Sequence, residues 1–258
     1  MQELKQRGYV DVVPVGRGSY GKVYRIRKEG GPAFWACKIL EDRRLWERES
    51  TFLRRAGHPL FPTYRECWWQ GERGFLVMDY VSGQDLAGLL DRRGGFCRRQ
   101  VLRIATALAE GMAWLQEQDP PILFRDLKPS NIRICEDGGV RLLDLGCACP
   151  AEGDGSLGGT PGYAPPEQLK MQGQIGTYSD VYAFGKVLLR LMGGDRWCRM
   201  NRLAADCVRE NPLERLPDMG CVLNRLKRMQ TADLSGKPEG MAGQRRGRCF
   251  YEKDICKH

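Results

Sequence analysis

The sequence predicts an α+β protein in which a small β-sheet part precedes a larger helical part. Residues 9–80 contain several runs of strand-favouring residues and one helix-like stretch, which predicts a small antiparallel sheet with one helix. Residues from about 81 to 230 carry apolar side chains at helical spacing, which predicts mainly helices. Residues 231–258 are rich in glycine and polar residues, and we expect a disordered basic tail there.

The composition is that of one globular chain. Its 258 residues, 42% of them hydrophobic, suffice to bury a core and exclude a largely disordered protein. The eleven cysteines are scattered without disulfide-scaffold or zinc-ligand spacing, which indicates reduced thiols in the cytosol. The N-terminus lacks the apolar run of a signal peptide, and no stretch has the length and apolar character of a membrane span. We therefore expect a soluble, cytoplasmic protein.

The net charge of +9 raises the alternative of nucleic-acid binding. Lysines and arginines are spread along the whole chain rather than gathered in one arm or helix, and no nucleic-acid motif is present. A solvated basic surface without a specific nucleic-acid partner is therefore predicted, and the sequence leaves the oligomeric state open.

A glycine-rich segment predicts a phosphate-binding turn between two strands. Strand-favouring residues flank it, Val12-Val13 before and Val23-Tyr24 after, which favours strand–turn–strand over the strand–turn–helix of a dinucleotide site. Glycines let backbone N–H groups approach phosphate oxygens closely, although an ordinary turn is the alternative. The segment consists of Gly16, Arg17, Gly18, Ser19, Tyr20 and Gly21.

Two short motifs have the composition of a phosphoryl-transfer site. Residues 124–131 read Phe-Arg-Asp-Leu-Lys-Pro-Ser-Asn, and Asp144 follows Asn131 by thirteen positions in an Asp-Leu-Gly triplet. Asp126 can accept a proton from a hydroxyl, and Lys128 can neutralise charge on a moving phosphate. Asn131 and Asp144 offer the hard oxygen ligands that Mg²⁺ prefers. Two short strand-like runs around Glu-Asp-Gly-Gly predict a hairpin between them, which would bring the two ligands together.

Taken together, these motifs resemble the catalytic core of eukaryotic-type (Hanks-type) serine/threonine protein kinases, and compact bacterial members in particular. The resemblance covers residues from about 9 to 230. It implies a bilobal protein-kinase fold, with a small β-sheet lobe over residues 9–80 and a mainly helical lobe over residues 81–230. It also implies transfer of the γ-phosphate of ATP to serine or threonine hydroxyls of proteins, with Mg²⁺ as the metal and Mn²⁺ as a possible substitute.

The resemblance assigns a phosphate-orienting role to Lys38. This residue follows Val23 by fifteen positions in a run of strand character, and a solvated surface lysine is the alternative. Its partner should be a glutamate on the helix predicted over Leu45–Ala56. Kinases usually place that glutamate nine residues before a His-Pro pair, so His58 selects Glu49, with Glu47 as the other candidate.

The stretch from Phe75 to Leu86 resembles the last small-lobe strand and the hinge. Met78 would line the adenine pocket, the backbones of Asp79 and Val81 would bind adenine, and Asp85 would reach the ribose. A strand that leads into a helix N-cap is an alternative for Asp85, and both can hold at once. Outside the glycine-rich segment, the resemblance assigns nucleotide binding to Val23, Ala36, Lys38, Met78, Asp79, Val81 and Asp85.

The segment after Asp-Leu-Gly resembles the loop that positions peptide substrates. Thr160 matches a threonine that bonds the catalytic aspartate and lysine in serine/threonine kinases, and Lys128 indicates the same class. Glu167 would pair with Arg215. Ser156 lies where many kinases are phosphorylated, so we expect activation-loop autophosphorylation, and we hypothesise that Arg125 grips such a phosphate. An ordinary flexible loop is the alternative.

Helices of the large lobe are also predicted from the pattern. Apolar residues from Val101 to Gln118 mark a core helix that Pro120-Pro121 would end. Tyr178–Met192 resembles the buried central helix, in which Asp180 would bind backbone amides of the catalytic loop. The stretch between Met192 and Arg215 is short for the family, so we expect one helix there to be reduced or absent.

Three positions depart from the usual kinase residues. Phe124 replaces a histidine, Leu145 replaces a phenylalanine, and Ser130 replaces a glutamate. The first two positions belong to an apolar stack in active kinases, which Leu53 and Tyr64 would complete, and neither transfers a proton nor binds metal. The loss of the glutamate leaves a preference for basic substrates unsupported.

Two other functions remain as alternatives. A pseudokinase scaffold, which binds nucleotide without turnover, generally lacks one of the lysine, the catalytic aspartate or the metal aspartate, and this chain keeps all three. A small-molecule kinase of the same fold is opposed by the stretch from Thr160 to Glu167, because that segment serves peptide docking.

Overall fold

The structure is a computed structural model, and it describes residues 1–17, 21–151, 159–170, 174–195 and 197–234. The chain forms two compact units. Among the described residues, the small unit comprises Met1–Ser82 together with Leu143–Ala148, and the large unit comprises Gly83–Leu142 and those from Cys149 onward. Their division falls at Ser82, close to the boundary at residue 80 that we expected for the lobes. The predicted α+β fold class, an antiparallel sheet followed by a mainly helical part, is confirmed.

The small unit is built on one five-stranded antiparallel sheet. Its strand order is β1-β2-β3-β5-β4, and helix α2 connects β3 to β4. The elements are α1 (Gln2–Gln6), β1 (Tyr9–Arg17), β2 (Gly21–Lys28), β3 (Phe34–Leu40), α2 (Arg43–Arg55), β4 (Tyr64–Gln70) and β5 (Arg73–Asp79). The carboxylate of Asp42 accepts hydrogen bonds from the first turn of α2, which explains why this helix begins two residues before the predicted Leu45.

Aromatic side chains fill one face of the small sheet. The ring of Trp68 stacks on Phe75 at 4.8 Å and on Tyr9 at 6.3 Å between ring centroids. Leu4 of α1 is fully buried in the same cluster. The packed unit therefore begins before residue 9, where we placed the start of the domain, because α1 covers the apolar face of the sheet.

The large unit is mainly helical. Its elements are β6 (Gln84–Asp85), α3 (Leu86–Arg93), α4 (Arg98–Gln116), β7 (Ile122–Leu123), β8 (Ile132–Ile134), β9 (Val140–Leu142), β10 (Cys149–Pro150), α5 (Pro166–Leu169), α6 (Thr177–Met192), α7 (Cys198–Cys207) and α8 (Met219–Leu234). Helix α4 packs against α6 and α8 and is buried along much of its length. Its buried residues include the whole apolar pattern seen in the sequence, namely Val101, Ile104, Leu108, Met112 and Leu115.

Two small antiparallel pairings accompany these helices. β6, β8 and β9 form a three-stranded sheet, and β7 pairs with β10. The predicted hairpin after Asn131 is confirmed, because β8 and β9 are antiparallel neighbours.

The end of the large unit adds detail to two expectations. The short stretch between Met192 and Arg215, where we expected one helix to be reduced or absent, contains one α-helix in its described residues, the ten-residue α7, with its apolar side buried. Helix α8 continues past residue 230, the expected end of the domain, to Leu234. The rest of the predicted tail, residues 235–258, lies outside the described residues. Within the described part of the chain, every helix is too short or too polar to cross a lipid bilayer.

Candidate active site

A buried lysine links two carboxylates in the small unit. Strand β3 carries Lys38, α2 carries Glu49, and the segment 143–148 carries Asp144. The Nζ atom of Lys38 lies 2.8 Å from both Oε1 and Oε2 of Glu49 and 2.7 Å from Oδ1 of Asp144. Only 3% of Lys38 and 2% of Glu49 is exposed, so water does not compete for these bonds.

Glu47, the other candidate partner, does not approach the lysine. It lies on the exposed side of α2 and accepts a hydrogen bond from Arg43, one turn earlier. Glu47 and Glu49 lie two positions apart and therefore face different sides of α2. Glu49 is thus the glutamate that the helix brings to Lys38.

The electrostatics keep this lysine charged. Burial by itself would lower the pKa of Lys38, but the carboxylates of Glu49 and Asp144 outweigh that effect and hold its pKa above the ordinary value. Burial raises the pKa of Glu49, while the ammonium of Lys38 opposes this change. A permanent positive charge held at a fixed place is suited to orient phosphate groups.

Asp144 has a strained backbone and a firmly held side chain. Its φ angle of 69° lies in the left-handed region, which is uncommon for a residue other than glycine. Its Oδ1 accepts a second hydrogen bond, of 3.0 Å, from the backbone N–H of Gly146. Strain of this kind is frequent at functional sites, because the surrounding contacts hold a side chain in one direction there.

The glycine-rich segment connects two paired strands. Gly16 faces Val23, and Arg17 faces Lys22, across β1 and β2, so the two strands predicted on either side of the turn are confirmed. Gly21 must lack a side chain, because a Cβ atom there would clash with the carbonyl oxygen of Ile39. Gly18, Ser19 and Tyr20 lie outside the described residues, and Arg17 is described by its backbone alone.

Four small-unit residues expected to bind nucleotide, Val23, Ala36, Lys38 and Met78, share one face of the sheet. Val23 is directly opposite Lys38, and Ala36 is directly opposite Met78, across antiparallel strands. Directly opposite side chains lie on the same face, and so do residues two apart on one strand. These four side chains therefore lie on the face opposite the aromatic cluster, together with the ammonium of Lys38.

The structure adds detail to the hinge residues. The backbone N–H of Asp79 donates to the carbonyl of Thr63 at 2.9 Å. Val81, two residues further on, is half-buried. The carboxylate of Asp85 accepts the backbone N–H of Gly88 at 2.8 Å and caps α3, which is the N-cap role we considered beside ribose binding.

A compact polar network surrounds Asp126 in the large unit. The hydroxyl of Thr160 donates to Oδ1 of Asp126 at 2.7 Å, and Nζ of Lys128 lies 2.8 Å from Oδ2. Lys128 also donates to the Thr160 hydroxyl at 2.8 Å. The side-chain amide of Asn131 donates to the backbone oxygen of Asp126 at 2.9 Å, which fixes the orientation of this side chain. Its amide oxygen is then the atom suited to bind a cation.

A buried carboxylate on α6 binds the backbone of the segment that precedes Asp126. Asp180 accepts the backbone N–H groups of Phe124 and Arg125, each at 2.9 Å. Burial raises the pKa of Asp180 to about 6, and the two amide bonds partly offset that rise. Arg125 has a φ of 68°, so the backbone is strained next to Asp126 as well.

The guanidinium of Arg125 is engaged within the large unit. Only 3% of this residue is exposed, and its Nη1 donates to Sγ of Cys149 at 2.9 Å. We expected Arg125 to grip a phosphate on Ser156, and that serine lies outside the described residues. The two apolar substitutions in the motifs, Phe124 and Leu145, are buried in the large and the small unit respectively.

An ion pair holds the substrate-loop segment to the helical core. Arg215 donates to both carboxylate oxygens of Glu167, at 2.6 and 3.0 Å, and both side chains are buried. Ser179 donates to the same carboxylate at 2.9 Å. Sequence reasoning missed Gln168, whose side-chain amide donates to the backbone oxygen of Arg125 at 2.9 Å. The only sequence feature that could have indicated Gln168 is its position next to Glu167.

The protein carries donors that fit ATP and a divalent metal ion. Among the described residues, no group of three or more histidine, cysteine, aspartate or glutamate side chains is arranged to hold a metal alone. Asp144 instead provides one carboxylate group, and Asn131 provides one amide oxygen. In phosphoryl-transfer sites Mg²⁺ binds few protein ligands together with phosphate oxygens.

Comparison with known proteins identifies the family to which this combination of fold and polar network belongs. The family model "Protein kinase domain" matches residues 9–227. The chain therefore belongs to the eukaryotic-type protein kinase family.

Three relatives show the range of similarity. "Protein kinase 2" of Dictyostelium discoideum is 30% identical over 191 residues, which is 70% of this chain and 39% of that protein. The "EPD1-interacting receptor-like cytoplasmic serine/threonine-protein kinase" of Nicotiana benthamiana is 36% identical over 199 residues, covering 70% and 43%. "Probable serine/threonine-protein kinase PBL15" of Arabidopsis thaliana is 34% identical over 208 residues, covering 73% and 49%. The chain thus spans at most about half the length of these relatives.

Proposed function

We propose that this protein is a serine/threonine protein kinase that transfers the γ-phosphate of ATP to hydroxyl groups of protein substrates. The observation that carries this proposal is the network in which Thr160 and Lys128 both contact Asp126. It holds a carboxylate beside a cation, which is the pair that hydroxyl activation and phosphate stabilisation require. The relatives named serine/threonine kinases support the same substrate class.

Each site residue has a role in the proposal. Lys38, held by Glu49, would orient the phosphates of ATP. Asp126 would position the substrate hydroxyl and accept its proton, and Lys128 would stabilise the charge that develops on the transferred phosphoryl group. Catalysis of this kind is mainly positioning and electrostatics, so the loss of one group should have a large effect.

We propose Mg²⁺ as the metal, with Mn²⁺ as a functional substitute. A bound divalent ion would neutralise phosphate charge, and Asp144 and Asn131 would each offer it an oxygen. Within the small unit the carboxylate of Asp144 is held by Lys38 and Gly146, and within the large unit the amide of Asn131 is oriented by Asp126, which supports the choice of both as ligands.

The proposal includes a cytoplasmic location. The name of the Nicotiana benthamiana relative describes a cytoplasmic kinase. The eleven scattered cysteines are also compatible with a reducing compartment.

Phosphate transfer from ATP labelled on its γ-phosphate tests this function. The wild-type protein should label itself or a library of serine and threonine peptides in the presence of Mg²⁺. Asp126→Asn and Lys38→Met should label neither, whereas Glu47→Gln, which changes the neighbouring glutamate away from the lysine, should behave as wild type. Analysis of the labelled residues should give phosphoserine or phosphothreonine. Nucleotide binding without any transfer, with Mg²⁺ or Mn²⁺, would support a pseudokinase instead.

A further inference from the structure

A single tryptophan fastens helix α2 to the sheet of the small unit. Trp46 lies in the first turn of α2, and its indole Nε1 donates to the backbone oxygen of Phe75 on β5 at 3.1 Å. The indole also packs edge to face on the ring of Trp69 on β4, with 5.6 Å between the ring centroids. This half-buried side chain therefore joins the helix to two strands.

Strand β5 makes room for the indole by lacking a side chain at Gly74. A Cβ atom at this position would clash with the ring of Trp46 and with that of Trp69. Even an alanine at this position would therefore displace the indole. Trp46 and Gly74 form a complementary pair, in which a large side chain occupies the space above a residue that has none.

The pair lies on the face of the sheet that carries Lys38. Gly74 and Leu76 are two positions apart on β5 and so share one face, and Leu76 is directly opposite Lys38 on β3. Trp69 is directly opposite Gly74 and belongs to the same face. The place where the helix is fastened is thus one side-chain position along β5 from the residue that faces Lys38.

On the helix, Trp46 is also a neighbour of the residue that binds the lysine. Trp46 and Glu49 are three positions apart, so both lie on the same side of α2, about one turn from each other. The helix contacts β5 through the indole and Lys38 through the carboxylate. Because backbone hydrogen bonds hold one turn of a helix rigid, the position of the indole determines that of the carboxylate.

The contacts of Trp46 differ from those of a tryptophan that only fills the core. Trp68, on the opposite face of the sheet, is 7% exposed and stacks on other rings, and its Nε1 has no hydrogen-bond partner among the described residues. Trp46 is less buried, and its Nε1 makes a directional bond to the backbone of a strand. Such a bond fixes the orientation of the indole as well as its contact with the sheet.

We propose that Trp46 is a positioning residue, which sits on Gly74, holds α2 where Glu49 reaches Lys38, and thereby sets the rate of phosphate transfer. The effect on the rate rests on the proposed function, whereas the fastening of the helix does not depend on it. Trp46 acts through Glu49 and takes no direct part in the chemistry.

Steady-state kinetics of variants on both sides of the contact test this role. Trp46→Leu should lower kcat/KM for ATP by about 10- to 100-fold, because a small displacement of a positioning group can cost that much. Trp46→Phe keeps an aromatic ring and loses the N–H donor, so it should retain more activity than Trp46→Leu. Gly74→Ala should lower kcat/KM as Trp46→Leu does, because it displaces the same indole. Gly74→Ala added to Trp46→Leu should cause little further loss, since leucine leaves room for the methyl group.

Combination with Glu49→Gln shows whether the tryptophan acts through the glutamate. Two independent losses of kcat/KM would multiply, whereas losses that arise from one contact do not. Trp46→Leu should therefore lower kcat/KM by less than about twofold further when Glu49 is already glutamine.

Trp35→Leu is the matched control. Trp35 is a half-buried tryptophan of β3 that packs on the opposite face of the sheet, edge to face with Tyr9 at 5.9 Å between ring centroids. The same chemical change there should lower the melting temperature and leave kcat/KM for ATP at the wild-type value. The melting temperature of every variant shows whether it is folded.

Hydrogen exchange of the α2 amides, measured without nucleotide, tests the fastening of the helix independently of phosphate transfer. Exchange should be faster than in the wild type in Trp46→Leu and in Gly74→Ala, and unchanged in Trp35→Leu. A protein that transfers no phosphate but shows this pattern would refute the kinase activity and keep the fastening of α2 by Trp46.

Three results would overturn the inference. The first is wild-type kcat/KM in folded Trp46→Leu or folded Gly74→Ala. The second is a full multiplication of the losses caused by Trp46→Leu and Glu49→Gln, and the third is a loss in Trp35→Leu equal to that in Trp46→Leu.

Discussion

The ammonium of Lys38 lies 2.7 Å from Oδ1 of Asp144, although 106 positions separate the two residues in the chain. The segment 143–148 belongs to the small unit and makes this contact there. The same ammonium also donates a hydrogen bond to Glu49 of α2. One buried cation therefore holds two carboxylates that come from different parts of the sequence. Any change that moves Glu49 should reach Asp144 through this lysine.

We expect Glu49→Gln to lower kcat/KM for ATP by at least about a hundredfold, because loss of one pre-oriented electrostatic contact costs that much in other enzymes. The neutral amide would leave Lys38 with a single carboxylate partner and allow its side chain to shift. Steady-state kinetics with a fixed peptide substrate measures the effect. Glu47→Gln, on the exposed side of the same helix, should retain wild-type rates. Equal losses in both variants would mean that the helix, and not the contact with Lys38, matters.

The hydroxyl of Thr160 should contribute to the rate of transfer. It donates to Asp126 and accepts from Lys128, so it fixes both side chains with one oxygen. Thr160→Ala should lower kcat by about 10- to 100-fold, the value of a hydrogen bond to a charged group, while KM for ATP stays within about twofold. Thr160→Ser keeps the hydroxyl and should recover most of the rate. If serine is as poor as alanine, the methyl group and its packing are responsible instead.

Much of the site was predictable because it depends on spacing within short motifs. The resemblance to kinases favours Glu49 over Glu47 through its usual spacing to His58, and the hairpin between β8 and β9 follows from its turn residues. Motif-based reasoning also anticipated the contacts of Thr160 with Asp126 and of Asp180 with the loop backbone.

Other features depend on packing between distant segments, which local sequence does not encode. Leu4 carries no signal beyond a single apolar residue, yet it is buried against the sheet because α1 folds onto it. The contact between Arg125 and Cys149 arises where β7 meets β10. The raised pKa of Asp180 is a consequence of complete burial, which only the assembled helices produce.

The buried pair of Glu167 and Arg215 should be important for stability. Removal of one partner leaves the other charge buried without compensation, at a cost of about 3–5 kcal/mol. Glu167→Gln should therefore lower the free energy of unfolding in urea by roughly that amount. Glu47→Gln breaks an exposed pair and should change the free energy by less than about 1 kcal/mol. Similar changes in the free energy of unfolding for the two variants would show that the buried pair stabilises the protein no more than a surface pair does.

The contribution of Asp180 to stability should depend on pH. Burial raises the pKa of this carboxyl to about 6, above its ordinary value of 3.8, so the folded protein holds the proton more tightly than the unfolded chain. The stabilisation is fully present below about pH 4 and is lost as the pH rises through 6. At neutral pH the folded protein must keep a charged carboxylate away from water.

The asparagine variant isolates this titration from all others. Asp180→Asn cannot ionise, so the difference between its free energy of unfolding and that of the wild type should change with pH through this group. From pH 4 to pH 7 the free energy of unfolding of the variant should rise relative to that of the wild type by up to about 3 kcal/mol, since one pKa unit corresponds to about 1.4 kcal/mol. Urea unfolding at four or five pH values measures the difference. A difference that moves in the opposite direction would mean that the bonds from Phe124 and Arg125 outweigh burial and lower the pKa, because amide donors stabilise the charged form.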